Sequence, residues 1–131
     1  MRDYRQFQVW QRSHQMTLSL YRATKVFPTE ELYGLTSQLR RASYSIPMNI
    51  AEGCGRSTDA DFARFLDVAG GSASELDYQL LLSRDLGFLK DDAYSSFTSE
   101  LTEIRRMLTR LIQSVRESKS KPTRRRPKTR S

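Results

Sequence analysis

The chain is poor in residues that build covalent or metal cross-links. A single cysteine, Cys54, rules out an intramolecular disulfide, and with the single histidine, His14, it cannot form a zinc site. No apolar run approaches the roughly 20 residues needed to cross a bilayer. The first residues lead into an amphipathic pattern and not into the apolar block of a signal peptide. A soluble, cytoplasmic protein without membrane contact is the expectation. Net charge is also scarce over most of the length: Met1–Val115 holds 14 basic and 14 acidic residues, whereas Arg116–Ser131 holds 8 basic and 1 acidic. The formal +7 of the 131-residue chain is therefore the property of its end, attached to a neutral body.

No segment alternates with a period of two, so strands are not expected. Helical periodicity is present four times. Phe7, Trp10, His14, Leu18 and Tyr21 form a first stripe, widened by Val9, Met16 and Leu20, and Phe27-Pro28 stops it. The second helix starts between Glu30 and Thr36, buries Leu35, Leu39, Ala42, Ile46 and Ile50, and is closed by left-handed geometry at Gly53 and Gly55. Ser57 or Thr58 caps the third, whose stripe is Phe62, Leu66, Ala69, Ala73, Leu76 and Leu80, ending at Gly87. The fourth starts at Asp91 or Asp92 and repeats Phe97, Leu101, Ile104, Leu108, Leu111, Val115, the spacing of left-handed antiparallel packing. The expected fold is an all-α, antiparallel up-down-up-down four-helix bundle over residues 1–117. Residues 118–131 have no apolar side chain except two prolines, and are expected to form a disordered Lys/Arg-rich tail.

The second helix is the most unusual segment. Beside its core line runs a polar stripe of Gln38, Ser45, Asn49, Glu52 and Arg56, and Pro47 interrupts it with the loss of one hydrogen bond and a bend. Glu52 and Arg56 are four apart and can pair. The stripe reads as a satisfied seam that fixes helix register or a subunit contact, with a ligand or nucleic-acid site as the alternative. In the third helix, Gly70-Gly71 reads as a notch for close approach by another helix, since no preceding strand or Gly-Lys-Ser/Thr ending supports a phosphate loop. Glu75 and Asp77 are placed to meet Arg40 or Arg41. Cys54, between two glycines, reads as accessible, with nothing nearby to lower its pKa.

Catalysis finds little support. His14 sits on an apolar stripe, as a core or interface histidine does, and no Glu-x-x-His pair exists for a di-iron site. An enzyme built on Asn49, Glu52 and Arg56 would need a cleft around them. Arg105, Arg106 and Arg110, with Glu100 and Glu103 nearby, read as a solvated, salt-bridged face. The tail differs, because Arg124, Arg125, Arg126, Lys128 and Arg130 have no acidic compensation and suit phosphate backbones through counterion release.

Several motifs together carry a resemblance. They are Trp10, Phe27-Pro28 with Glu31, the run Tyr33-Gly34-Leu35-Thr36-Ser37-Gln38-Leu39-Arg40-Arg41-Ala42, then Ser45-Ile46-Pro47, Asn49-Ile50-Ala51-Glu52-Gly53 and Gly55-Arg56. Phe65-Leu66, Ala69, Gly71-Ser72 and Glu75 follow. In these the chain resembles, over most of residues 7–115, the four-helix-bundle family of proteins encoded in 23S rRNA intervening sequences. The resemblance implies a homopentameric ring around a central channel, and kinship with the accessory subunit of diversity-generating retroelements, which binds reverse transcriptase and nucleic acid. The basic tail lies outside it. The expected function is a non-enzymatic, oligomeric nucleic-acid-binding adaptor without cofactor or metal, contacting RNA or DNA through Arg40, Arg41 and Arg56 and the five tail cations. Such an adaptor could serve a reverse transcriptase. The alternative is a protein-binding module with a merely solubilising tail.

Overall fold

A computed structural model describes residues 2–120, which contain four α-helices and no strand. A 3-10 turn at Tyr4–Gln6 leads into α1 (Gln8–Ala23); 3-10 turns at Thr24–Val26 and Thr29–Glu31 connect to α2 (Leu35–Cys54); α3 (Asp59–Asp85) and α4 (Asp91–Ser120) follow. Consecutive helices pack, and α1 against α4 closes the ring. Thr17 meets Ser43 and Thr24 meets Arg40; Ser45 meets Ser72 and Gly53 meets Phe62; Asp77 meets Arg105 and Asp67 meets Arg116; Arg12 meets Glu100 and Val9 lies beside Met107, so every neighbouring pair runs antiparallel. This is the expected bundle, although α4 continues to Ser120, past the boundary expected at residue 117.

Local chemistry sets the ends. Thr58 accepts the Asp61 N–H as the α3 N-cap, with Asp59 and Asp61 in the first turn. Gly87 ends α3 at φ +83, the only positive φ among the described residues. Gly53 and Gly55 do not have the expected left-handed geometry. Gly55 is right-handed (φ −84), and Gly53 lies inside α2 for a steric reason. A β-carbon there would stand 2.9 Å from Phe65 Cβ and 3.0 Å from Phe62 Cδ1. Only glycine lets the end of α2 approach the start of α3 so closely.

The core lines of α2, α3 and α4 lie largely where their periodicity puts them; Leu39, Ile46, Ile50, Leu66, Leu76, Leu80 and Ile104 are completely enclosed, while Leu35, expected in the α2 line, is only half-buried in the first turn. In α1 the buried line is Val9, Ser13, Met16, Thr17 and Leu20. The expected stripe is displaced outward: Phe7, Trp10 and His14 are half-buried and Leu18 and Tyr21 are exposed, with the His14 ring stacked 4.9 Å from that of Trp10. The reason is close contact with α2, which favours small hydroxyl side chains over large apolar ones. Thr17 Oγ1 lies 2.9 Å from Ser13 O and 3.2 Å from Ser43 O, and accepts from Ser43 Oγ at 3.0 Å. Ser43 O is the carbonyl four residues before Pro47, which lacks the N–H that would normally fill it. A hydroxyl from α1 thus satisfies the orphan that the proline of α2 creates. At one end of the bundle, Phe27 packs against Phe88 at 5.7 Å, joining the α1–α2 and α3–α4 connections.

Candidate functional site

Arg40 and Arg41 are consecutive on α2, so their side chains diverge by about 100°. Arg40 turns to the end of α1: its Nε donates to Thr24 Oγ1 at 2.9 Å, its Nη2 to Tyr21 O at 3.3 Å, and its guanidinium lies 4.7 Å from the Tyr21 ring centre. A cation is favoured there by the free carbonyls of the helix terminus. Arg41 is exposed and has no acidic partner among the described residues. The expected meeting with Glu75 or Asp77 does not occur; Asp77 Oδ2 lies instead 3.9 Å from Arg105 Nη1, because α4 shields that side of α3.

Around the two arginines lies an open groove of about 340 Å³, lined also by Tyr21, Leu32, Tyr33, Ser37 and Tyr44. No acidic side chain lines it. Tyr33 is 92% exposed, and Tyr21 and Tyr44 a little over one third. The groove therefore offers two positive charges, of which Arg40 is held rigid and Arg41 is free, among three aromatic faces. Such a surface can hold phosphates and stack planar groups. The tyrosines as a set escaped the sequence reading. Tyr21 falls on the expected apolar stripe of α1, and the turn after Glu31 that presents Tyr33 beside α2 leaves no periodic signal.

The other expected contacts are scattered. Arg56 lies past the end of α2, whose Cys54 is about four turns from Arg40, roughly 21 Å at 1.5 Å per residue. It sits 3.5 Å from Glu52 and over the Phe65 ring at 4.7 Å, with Arg64 also over that ring at 4.6 Å. Arg124, Arg125, Arg126, Lys128 and Arg130 lie outside the described residues.

The polar stripe divides into parts. Its middle is a satisfied contact: Asn49 Nδ2 donates to Ser45 O at 2.8 Å and to Ser45 Oγ at 3.0 Å, and Ser45 Oγ meets Ser72 Oγ on α3 at 2.7 Å. Gln38 at one end and Glu52 and Arg56 at the other are exposed. Asn49 is turned into the α2–α3 contact while Glu52 faces outward, so Asn49, Glu52 and Arg56 do not converge on a cleft. Among the described residues no group of three or more His, Cys, Asp or Glu side chains could hold a metal ion. Cys54 is 1% exposed, contrary to the accessible thiol expected, and burial pushes its pKa up. Arg2 and Asp3 of the N-terminal segment lie near enough to act on it electrostatically. Gly70 and Gly71 are not approached by any helix of this chain; nothing lies within 4 Å of a β-carbon built at either. No described helix is long and apolar enough to cross a membrane.

The comparisons with known proteins agree with this architecture. No curated protein is significantly similar to the chain. A crystal structure of a protein of unknown function from the S23 ribosomal protein family of Bacteroides thetaiotaomicron VPI-5482 superposes with a TM-score of 0.75 at 26% identity, covering 80% of this chain and 95% of that one. Residues 5–110 match the family described as 23S rRNA-intervening sequence protein. With the motifs, the bundle and this match spanning the same residues, the chain belongs to the 23S rRNA-intervening sequence protein family.

Proposed function

We propose that this protein is a non-enzymatic, self-associating adaptor that binds nucleic acid. The observation that carries the reading is the groove on α1 and α2, where Arg40 and Arg41 lie among three solvent-facing tyrosines with no acidic side chain lining it. Arginine with aromatic faces suits single-stranded RNA or DNA, since cations hold the backbone and rings stack bases at about 1–3 kcal/mol each. Arg41 supplies the mobile cation, Tyr33 the most accessible ring, and Arg40 fixes Tyr21. The test is a binding titration of the whole chain against short single-stranded RNA and DNA, with Arg41→Glu and Tyr33→Ala variants. Each substitution is expected to weaken binding at least about 10-fold, in keeping with the reversal of one charge or the loss of one stack. Unchanged affinity in both variants would sink the assignment.

Self-association has support of its own. Pro47 and the Ser45–Asn49–Ser72 contact are taken up inside the chain, whereas the Gly70–Gly71 notch stays open. Met48 (50% exposed), Val68 (45%) and Tyr78 (61%) stand on the same two helices. A second copy covering this strip would bury these side chains, and a closed ring of five copies is the assembly we propose. Light scattering should return about five times 15.2 kDa, falling to the single-chain mass in Gly71→Arg. A wild-type chain at 15.2 kDa would contradict the ring.

The same exposed apolar side chains favour a second reading, a protein-binding module whose partner is a reverse transcriptase or another enzyme, as kinship with the retroelement accessory subunit would require. A partner retained at high salt after loss of the tail, by a chain that binds neither nucleic acid, would select it.

A further inference from the structure

A second basic surface lies away from the tyrosine groove. On the outer side of α4, Thr102, Arg105, Arg106, Thr109 and Arg110 line a shallow groove of about 460 Å³ without an aromatic or acidic side chain. Ion pairing neutralises it incompletely. Arg106 Nη1 is 2.6 Å from Glu103, one turn back on the same helix. Arg105 donates to Ser74 Oγ at 2.9 Å and reaches Asp77 only at 3.9 Å. Arg110 has no acidic partner among the described residues. No acidic residue occurs between Ile104 and Arg116; Arg116 itself is paired with Asp67, and the next acidic residue, Glu117, lies about two turns beyond Arg110.

Resting on the nucleic-acid reading above, we infer that this α4 groove is a phosphate-backbone contact, distinct from the α1–α2 groove and blind to sequence. The three guanidinium-bearing positions span about 7.5 Å of helix axis, against about 3.4 Å per phosphate along each strand of a duplex, so they match a run of two to three successive phosphates of a strand. Guanidinium groups fork two hydrogen bonds to phosphate oxygens, and the unpartnered Thr109 hydroxyl adds a donor between them. Phosphate can take over the place of Glu103 and Asp77 at Arg106 and Arg105, because both pairs are exposed on the surface. With no ring to stack on, the groove makes no distinction between single strands and duplex, or between sequences. An acidic protein would satisfy the charges too, and the experiment separates that case.

The measurement is fluorescence anisotropy of a short single-stranded RNA and a duplex DNA with the full chain, between about 50 and 200 mM salt. The comparison is with Arg105→Gln/Arg106→Gln/Arg110→Gln. The triple variant should bind both probes more weakly, and its slope of log affinity against log salt should be shallower by about 2 to 3. The corresponding triple substitution by lysine should keep the slope, since charge and not fork geometry governs counterion release. Arg84→Gln, which removes a cation already paired with Asp85, should leave it unchanged. A circular-dichroism melt checks that the variants fold. If the wild type binds and the glutamine variant has the same affinity and slope, the inference is overturned while the nucleic-acid reading stands. A variant that loses only self-association overturns it likewise and assigns the face to protein contact. If the wild type binds neither probe, both readings fall.

Discussion

At Thr17 one hydroxyl group meets two needs, those of its own helix and of the carbonyl that Pro47 leaves open across the α1–α2 contact. Thr17→Val keeps the shape and removes the donor. It should destabilise the protein by about 1–3 kcal/mol, as an unsatisfied buried polar group does, with Thr17→Ser recovering most of the loss in urea unfolding. Arg12 and Glu100 form the other informative residue pair, a two-pronged bridge of 2.8 and 2.6 Å between α1 and α4. The hydrogen bonds from Arg12 hold the Glu100 carboxyl below its usual pKa, against the opposing effect of burial. The unfolded chain then takes up its proton first as pH falls. The bridge contributes fully above the ordinary carboxylate range, and its contribution is lost on descent through the lower, folded-state pKa. Glu100→Gln should cost about 0.2–1 kcal/mol at neutral pH, because the pair is one-third exposed, and nothing once both states are protonated. Stability measured against pH checks the sign: a wild-type advantage that grows on acidification would contradict it.

At the level of elements, two glycine sites behave oppositely for reasons that the backbone alone does not reveal. Gly53 sits where α2 and α3 converge on Phe62 and Phe65, whereas Gly70, mid-helix in α3, faces open space. Gly53→Ala should cost about 1–3 kcal/mol through overpacking. Gly70→Ala should gain up to about 1 kcal/mol from helix propensity. Thermal melts of the two variants should move in opposite directions; movement in the same direction would refute the packing account. The helix-ending role expected of Gly53 gives way to close packing, whereas the notch expected at Gly70-Gly71 is not filled by any helix of this chain. A helix-ending glycine and a close-contact glycine look alike until the neighbouring helix is in place.

For the whole molecule, the charge divides unequally between bundle and chain end. Deleting residues 121–131 takes away six cations and no apolar side chain other than prolines, lowering the net charge from +7 to +1. Such a chain should melt at the unchanged temperature, since all of its core side chains precede residue 116. It should also bind nucleic acid with a reduced salt slope. A lowered melting temperature would mean that the deleted segment contributes to the fold.

The sequence by itself determined four helices, their order, and the core lines of α2, α3 and α4, because a 3.6-residue apolar period needs no knowledge of the partner surface. It also determined that one end of the chain holds the excess charge. Only the tertiary structure decided which face of α1 is buried, since close approach to α2 rewards Ser13 and Thr17 over Trp10 and Leu18. It likewise decided that Cys54 is covered, that Arg40 is a clamp and Arg41 free, and that Tyr21, Tyr33 and Tyr44 share a groove. Periodicity reports which side of one helix is apolar. How near the next helix comes, and which polar groups it satisfies, depends on residues distant in the chain.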